Sequence, residues 1–128
     1  MPKRLLIAED DNAISSMVVD ILRMEGIEST VVSEGRTVLD VLRSEPFDLV
    51  LLDIMLPGLD GISILRAIRD DPEKGDIPVV MVTAKTDDET TWAGWRAGCN
   101  YYMTKPFDPD ELLAIVRSLE RASSMPDA

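Results

Sequence analysis

Three short apolar runs without alternation, Leu5-Leu6-Ile7-Ala8, Leu49-Val50-Leu51-Leu52 and Val79-Val80-Met81-Val82, recur along the chain with amphipathic segments between them. A strand with one wet face alternates apolar and polar residues, so these runs predict strands covered on both faces. Parallel sheets are covered in that way, because each parallel pair needs a crossover and helices supply it. The segments between the runs have helical spacing. Asp11 or Asn12 can cap a helix whose Ile14, Met17, Val18, Ile21 and Leu22 share a face, and Gly26 ends it. Glu28 to Val32 reads as a second strand, followed by a short helix carrying Val38, Leu39, Val41 and Leu42. Asp60 can cap a helix bearing Ile64, Leu65 and Ile68, stopped by Asp71-Pro72. A fourth helix is expected from about Glu89 to Ala97, ended by Gly98, and Tyr101 to Thr104 reads as the last strand. Asp108, Pro109 and Glu111 have the order of a cap, a first helical residue and a capping box, before Leu112, Ile115, Val116 and Leu119.

The expected fold is therefore α/β: a doubly wound, five-stranded parallel sheet in a (βα)5 arrangement, with flavodoxin-like strand order 2-1-3-4-5. At 128 residues one domain is expected, over residues 1–122, with residues 123–128 a tail or the start of a linker. The chain is read as either stand-alone or cut at Ser123-Ser124 from something longer. The N-terminal Met1-Pro2-Lys3-Arg4 leads into too short an apolar stretch for a signal peptide, and no run reaches the length of a membrane span, so a cytoplasmic protein is expected.

Several chemistries are excluded by composition. Cys99 is the only cysteine and there is no histidine, which removes an internal disulfide, a cysteine metal cluster and imidazole catalysis. A net charge of −11 has the wrong sign for holding a polyanion, so direct binding of nucleic acid is not expected.

In doubly wound sheets ligands bind beyond the carboxyl ends of the strands. Glu9 and Asp10 follow the first strand, Asp53 ends the third, Thr83 ends the fourth and Lys105 follows the fifth. Carboxylates brought together from two strand ends repel unless a cation compensates. Oxygen donors without sulfur or imidazole suit a hard ion, Mg²⁺ first and Mn²⁺ as a substitute. A P-loop needs glycines after the first strand, whereas this chain has Ala8-Glu9-Asp10-Asp11-Asn12. A phosphohydrolase built on an aspartate nucleophile would carry an acid two residues after it, and Met55 stands there. What remains is a carboxylate that accepts a phosphoryl group and holds it, with Asp53 as nucleophile, Glu9 and Asp10 holding the metal, and Thr83 and Lys105 on the phosphoryl oxygens.

The stretches LLIAEDD, DLVLLDIMLPGLDG, PVVMVTA and AGCNYYMTKPF, in this order and spacing, resemble the receiver domain of two-component response regulators, and the likeness covers essentially the whole chain. The resemblance implies that Asp53 takes phosphate from a histidine kinase or a histidine phosphotransfer protein. It implies Mg²⁺ held by Asp10, Asp53 and the backbone carbonyl of Met55, with Glu9 acting mostly through water, and the Ala84 backbone among the phosphoryl-stabilising groups. It also implies a cis peptide between Lys105 and Pro106. Such a protein is no enzyme with turnover; it catalyses at most its own phosphorylation and dephosphorylation. The family couples Thr83 to rotation of the aromatic residue three before the lysine, here Tyr102, and so alters the surface of the fourth helix, fifth strand and fifth helix. An effector is expected there, with a phosphorylation-dependent homodimer as a further expectation. A constitutive binding module and a slow metal-dependent phosphatase are the alternatives.

Two features depart from the pattern. Tyr101 stands where many receivers have an acid, and Trp92 and Trp95 put two rings on one helical face. Trp95 is expected to pack on the sheet as core, and an exposed Trp92 would be an anchor for a partner or a symmetric dimer.

Overall fold

The computed structural model describes residues 4–84 and 88–124, with the side chains of residue 88 and residues 120–124 outside the description. The order is β1 (Arg4–Ala8), α1 (Asn12–Met24), β2 (Glu28–Val32), α2 (Gly35–Ser44), β3 (Leu49–Asp53), α3 (Gly61–Asp70), β4 (Val79–Thr83), α4 (Asp88–Ala97), β5 (Tyr101–Thr104) and α5 (Pro109–Ser124). All four strand pairings are parallel and the sheet order is β2-β1-β3-β4-β5, as the alternation of runs and helices predicts. α5 continues two residues into the segment read as a tail; Met1-Pro2-Lys3 and residues 125–128 lie outside the described residues. Among the described residues no helix is long and apolar enough to cross a membrane.

The period of two along each strand divides the core into two layers. Leu6, Ala8, Val50, Leu52, Val79 and Met81 face α2 and α3, where Val38, Leu42, Ile64, Leu65 and Ile68 are buried. On the other face Leu5, Ile7, Leu49, Leu51, Val80, Val82 and Met103 meet Val18 and Leu22 of α1 and Leu112, Ile115 and Val116 of α5. Each fully buried Leu or Ile side chain contributes roughly 1.5–3 kcal/mol through the water it leaves. β3, in the centre, is buried at all five positions, so its last residue Asp53 is carried into the protein with the rest.

Helix starts behave as the sequence predicts. Asp11 is the N-cap of α1, its side chain accepting from the Ala13 and Ile14 N–H groups, and Asp60 caps α3 by accepting from the Ser63 N–H. At α5 the Asp108 carboxylate accepts from the Asp110 N–H at 2.8 Å.

The expectation for Trp95 is overturned: its side chain is exposed, at 46%. Among the described side chains of α4 the buried position is Gly94 instead, where an added Cβ would lie 3.4 Å from Cδ2 of Tyr102. A Cβ at position 94 would be in ordinary van der Waals contact with the Tyr102 ring, so this is the position that faces β5, and Trp95, about 100° further round the helix, faces outward. Trp92 is exposed at 64%.

Candidate functional site

The rim residues converge because three strand ends stop at one level. β1 and β3 are neighbours, and Ala8 is paired with Leu52, so Glu9 and Asp10 emerge beside Asp53. β3 turns into α3 without spreading because residue 61 is glycine: a Cβ there would lie 2.6 Å from the Asp53 carbonyl oxygen. The Gly61 N–H donates to the Ile54 carbonyl at 2.8 Å, closing the loop that carries Met55.

Carboxylate oxygens of Glu9, Asp10 and Asp53 all lie within 4.8 Å of one another. Glu9 and Asp53 are buried and Asp10 is exposed at the mouth. The Lys105 ammonium reaches in from the end of β5 and donates to both Glu9 Oε1 and Asp53 Oδ2, the latter at 2.8 Å. The Met55 N–H donates to Asp53 Oδ1 at 2.9 Å, so both oxygens of Asp53 are held. The peptide between Lys105 and Pro106 is cis.

Protonation follows from burial and these contacts. Burial, and then the Asp53 carboxylate beside it, push the Glu9 carboxyl up to about 7, against the opposing pull of Lys105. Burial also resists ionisation of Asp53, but hydrogen bonding with Glu9, Lys105 and the Met55 N–H outweighs it and holds Asp53 below the usual range. Burial resists charge on Lys105 too, and the two carboxylates overcome it, holding the ammonium above its ordinary value. Near neutrality the pocket therefore favours a charged Asp53 and a charged Lys105, with a proton shared at Glu9.

Thr83 is fully buried at the end of β4, one residue beyond Val82, the register partner of Asp53. The Lys105 N–H donates to the Thr83 carbonyl at 2.8 Å, which ties the lysine to the threonine's strand. Ala84 follows at the exposed lip. Tyr102, half-buried on β5 opposite Met81, packs against the layer under α3. Glu9, Asp10, Asp53 and Lys105 are thus brought together at one rim, and Met55 touches Asp53 through its N–H. Sequence reading assigned Lys105 to an incoming phosphoryl group and did not anticipate that it already bridges two carboxylates. The signal was present, since a lysine facing buried acids at one rim must pair with them.

A second polar constellation went unread. Arg69, in the last turn of α3, donates to the carbonyls of Gly98 (2.9 Å), Gly75 (2.9 Å) and Ile77 (2.7 Å) and to Asn100 Oδ1 (2.8 Å). Asn100 Oδ1 also accepts from the Val79 N–H at 2.9 Å. One guanidinium so joins the C-terminus of α4 to the start of β4.

A doubly wound parallel sheet with an oxygen-only acidic cluster and an inward lysine at its carboxyl rim is an α/β fold whose rim site can hold a hard cation. The family description "Response regulator receiver domain" matches residues 5–117, and the chain belongs to that family: it is a two-component response regulator receiver domain. The DNA-binding response regulator MtrA of Mycobacterium leprae is 42% identical over 118 residues, which cover 92% of this chain and 51% of that protein. Among solved structures, a response regulator from Chloroflexus aurantiacus superposes with a TM-score of 0.89 at 34% identity, covering 93% of this chain and 98% of that one. The BeF3-activated receiver domain of Klebsiella pneumoniae RstA gives 0.86 at 30% identity, covering 93% and 99%. The chain spans about half the length of the curated relatives it matches.

Proposed function

We propose that Asp53 accepts a phosphoryl group from a phosphohistidine of a histidine kinase or a phosphotransfer protein. The observation that carries this reading is the Lys105 ammonium held between Glu9 and Asp53 beside the exposed Asp10, a pocket with its own counter-charge and oxygen ligands for another. An Asp53 oxygen attacks phosphorus, the phosphorus–nitrogen bond breaks, and the imidazole of the donor leaves with its electron pair. Asp10, Asp53 and the Met55 carbonyl would hold Mg²⁺, or Mn²⁺ in its place, with Glu9 acting through water; when bound, the ion neutralises charge on the transferring oxygens. Lys105 then exchanges a carboxylate oxygen for a phosphoryl oxygen, and the Thr83 hydroxyl and the Ala84 N–H donate to the others. Thr83 moves toward the group it binds and Tyr102 turns into the space released, altering the face formed by α4, β5 and α5, where an effector docks. No turnover of an external substrate is part of this role, and the net charge of −11 argues against contact with DNA by this domain itself. A domain working in this way belongs in the cytoplasm, where its phosphodonors are.

The test is incubation with a small phosphodonor and Mg²⁺ followed by intact mass. One phosphoryl adduct is expected, dependent on metal, labile at alkaline pH and absent from Asp53→Ala. An adduct that survives in Asp53→Ala would overturn the assignment. Because a proton on Glu9 opposes a second cation in the pocket, Mg²⁺ affinity is expected to rise as pH increases through about 7. Titration calorimetry below and above that pH reads the slope, and a flat profile would remove Glu9 from the account.

A further inference from the structure

We propose that the first turn of α2 positions the loop between β3 and α3, and that Gly35 in that turn sets the affinity of the acidic rim for a divalent cation without touching the site. The loop, residues 54–60, carries the Met55 carbonyl assigned above to the ion, so the proposal rests on that reading. Its root is fixed from within: the Met55 N–H donates to Asp53 Oδ1 at 2.9 Å, and the Gly61 N–H donates to the Ile54 carbonyl at 2.8 Å. Its outer part leans on α2. The Gly35 N–H donates to the Pro57 carbonyl at 3.0 Å. A helix start needs such an acceptor, and the Glu34 side chain at the N-cap supplies none. The stem of Arg36 lies beside Gly58, where an added Cβ would be 3.7 Å from Arg36 Cγ.

Position 35 has no room for a side chain, and the reason is space rather than backbone angle. Gly26, Gly58 and Gly98 have positive φ, and Gly35 does not. A Cβ at position 35 would fall on the Leu59 carbonyl oxygen and lie 2.9 Å from Ile64 Cδ1. An ordinary contact needs about 3.5 Å, so loop and helix would have to part by something on the order of 1 Å. The helix does not yield easily, because Val38 and Leu42 are buried against the sheet. The loop therefore takes up the displacement, between ends tied at Ile54 and at Asp60, the N-cap of α3. Mg²⁺ demands near-ideal octahedral geometry with oxygens at about 2.0–2.1 Å, so a carbonyl moved by a fraction of that displacement no longer completes the set. Glu9, Asp10 and Asp53 stand at the ends of β1 and β3 and keep their places.

Calorimetric titration of Mg²⁺ into the full chain, with no phosphodonor present, tests this, together with hydrogen exchange of the loop amides in the metal-free protein. Gly35→Ala should weaken Mg²⁺ binding by about tenfold and speed exchange of the Met55 amide by a similar factor. Leu42→Ala, in the last turn of the same helix and only 1% exposed, should lower stability while leaving Mg²⁺ affinity within about twofold of wild type. Arg36→Ala, at an exposed position where folding is not at risk, should weaken binding by about threefold, roughly the effect of one lost methylene contact. Wild-type affinity in Gly35→Ala overturns the proposal. So does an equal loss in Leu42→Ala, which would make the effect one of global stability. If Gly35→Ala does not fold, Arg36→Ala decides, and wild-type affinity there overturns the proposal. A wild-type chain that takes up no Mg²⁺ overturns both this proposal and the metal site it rests on, whereas equal uptake by wild type and Gly35→Ala overturns this proposal alone.

Discussion

Helices α3 and α4 are neighbours of ten residues each, and both have an arginine in the last turn, yet they are held by different means. α3 buries Gly61, Ile64, Leu65 and Ile68 against the sheet. Among the described side chains of α4 only Gly94 is buried, and both tryptophans face outward. Arg69 of α3 satisfies four acceptors, whereas Arg96 of α4 is in no ion pair among the described residues. The two helices flank β4, whose end carries Thr83, so one wall beside the acidic rim is fixed and the other buries little. Elements with few buried apolar contacts open at lower free energy, and signalling movements are drawn from them.

The contrast can be broken at several strengths. Leu65→Ala in α3 should cost about 2–5 kcal/mol in denaturant unfolding, while Trp95→Ala in α4 should cost under about 1 kcal/mol. Equal losses would mean that α4 is packed as α3 is. Next, Arg69→Met leaves the Gly75, Ile77 and Gly98 carbonyls without their donor and should lower stability by about 1–3 kcal/mol, read from the urea midpoint. Wild-type stability in that variant would show that α4 is anchored by something else. The smallest expected difference is in native-state hydrogen exchange: amides in the middle of α4 should exchange roughly tenfold faster than those of α3. Matching protection would place both helices in one cooperative unit.

The same contrast explains how far the sequence could be read. β1, β3 and β4 were legible because unbroken apolar runs have one common use, and α3 was legible because Ile64, Leu65 and Ile68 fall on one stripe. The meeting of Glu9, Asp10, Asp53 and Lys105 followed from strand order alone, since every strand of a parallel sheet delivers its end to the same rim. α4 defeated periodicity. Its stripe suggested a buried indole at Trp95, but the contact with β5 is made where a side chain is missing, at Gly94 against Tyr102, and an absent side chain gives no hydrophobic signal. The Arg69 network was hidden for a related reason: three of its four acceptors are main-chain carbonyls, which residue identity does not reveal.

The Arg69 guanidinium grips Gly98, just past the last turn of α4, and through Asn100 and Ile77 the root of β4. A ten-residue helix is about 15 Å long. Pinned at that end, α4 has its pivot at Gly98 and its opposite end toward the carboxyl rim of the sheet. A tilt of roughly 10° would carry the first residue about 2–3 Å while leaving the pivot in place. Driven from the rim, such a helix would move most at its first residue and least at Gly98, with no need to repack the sheet beneath.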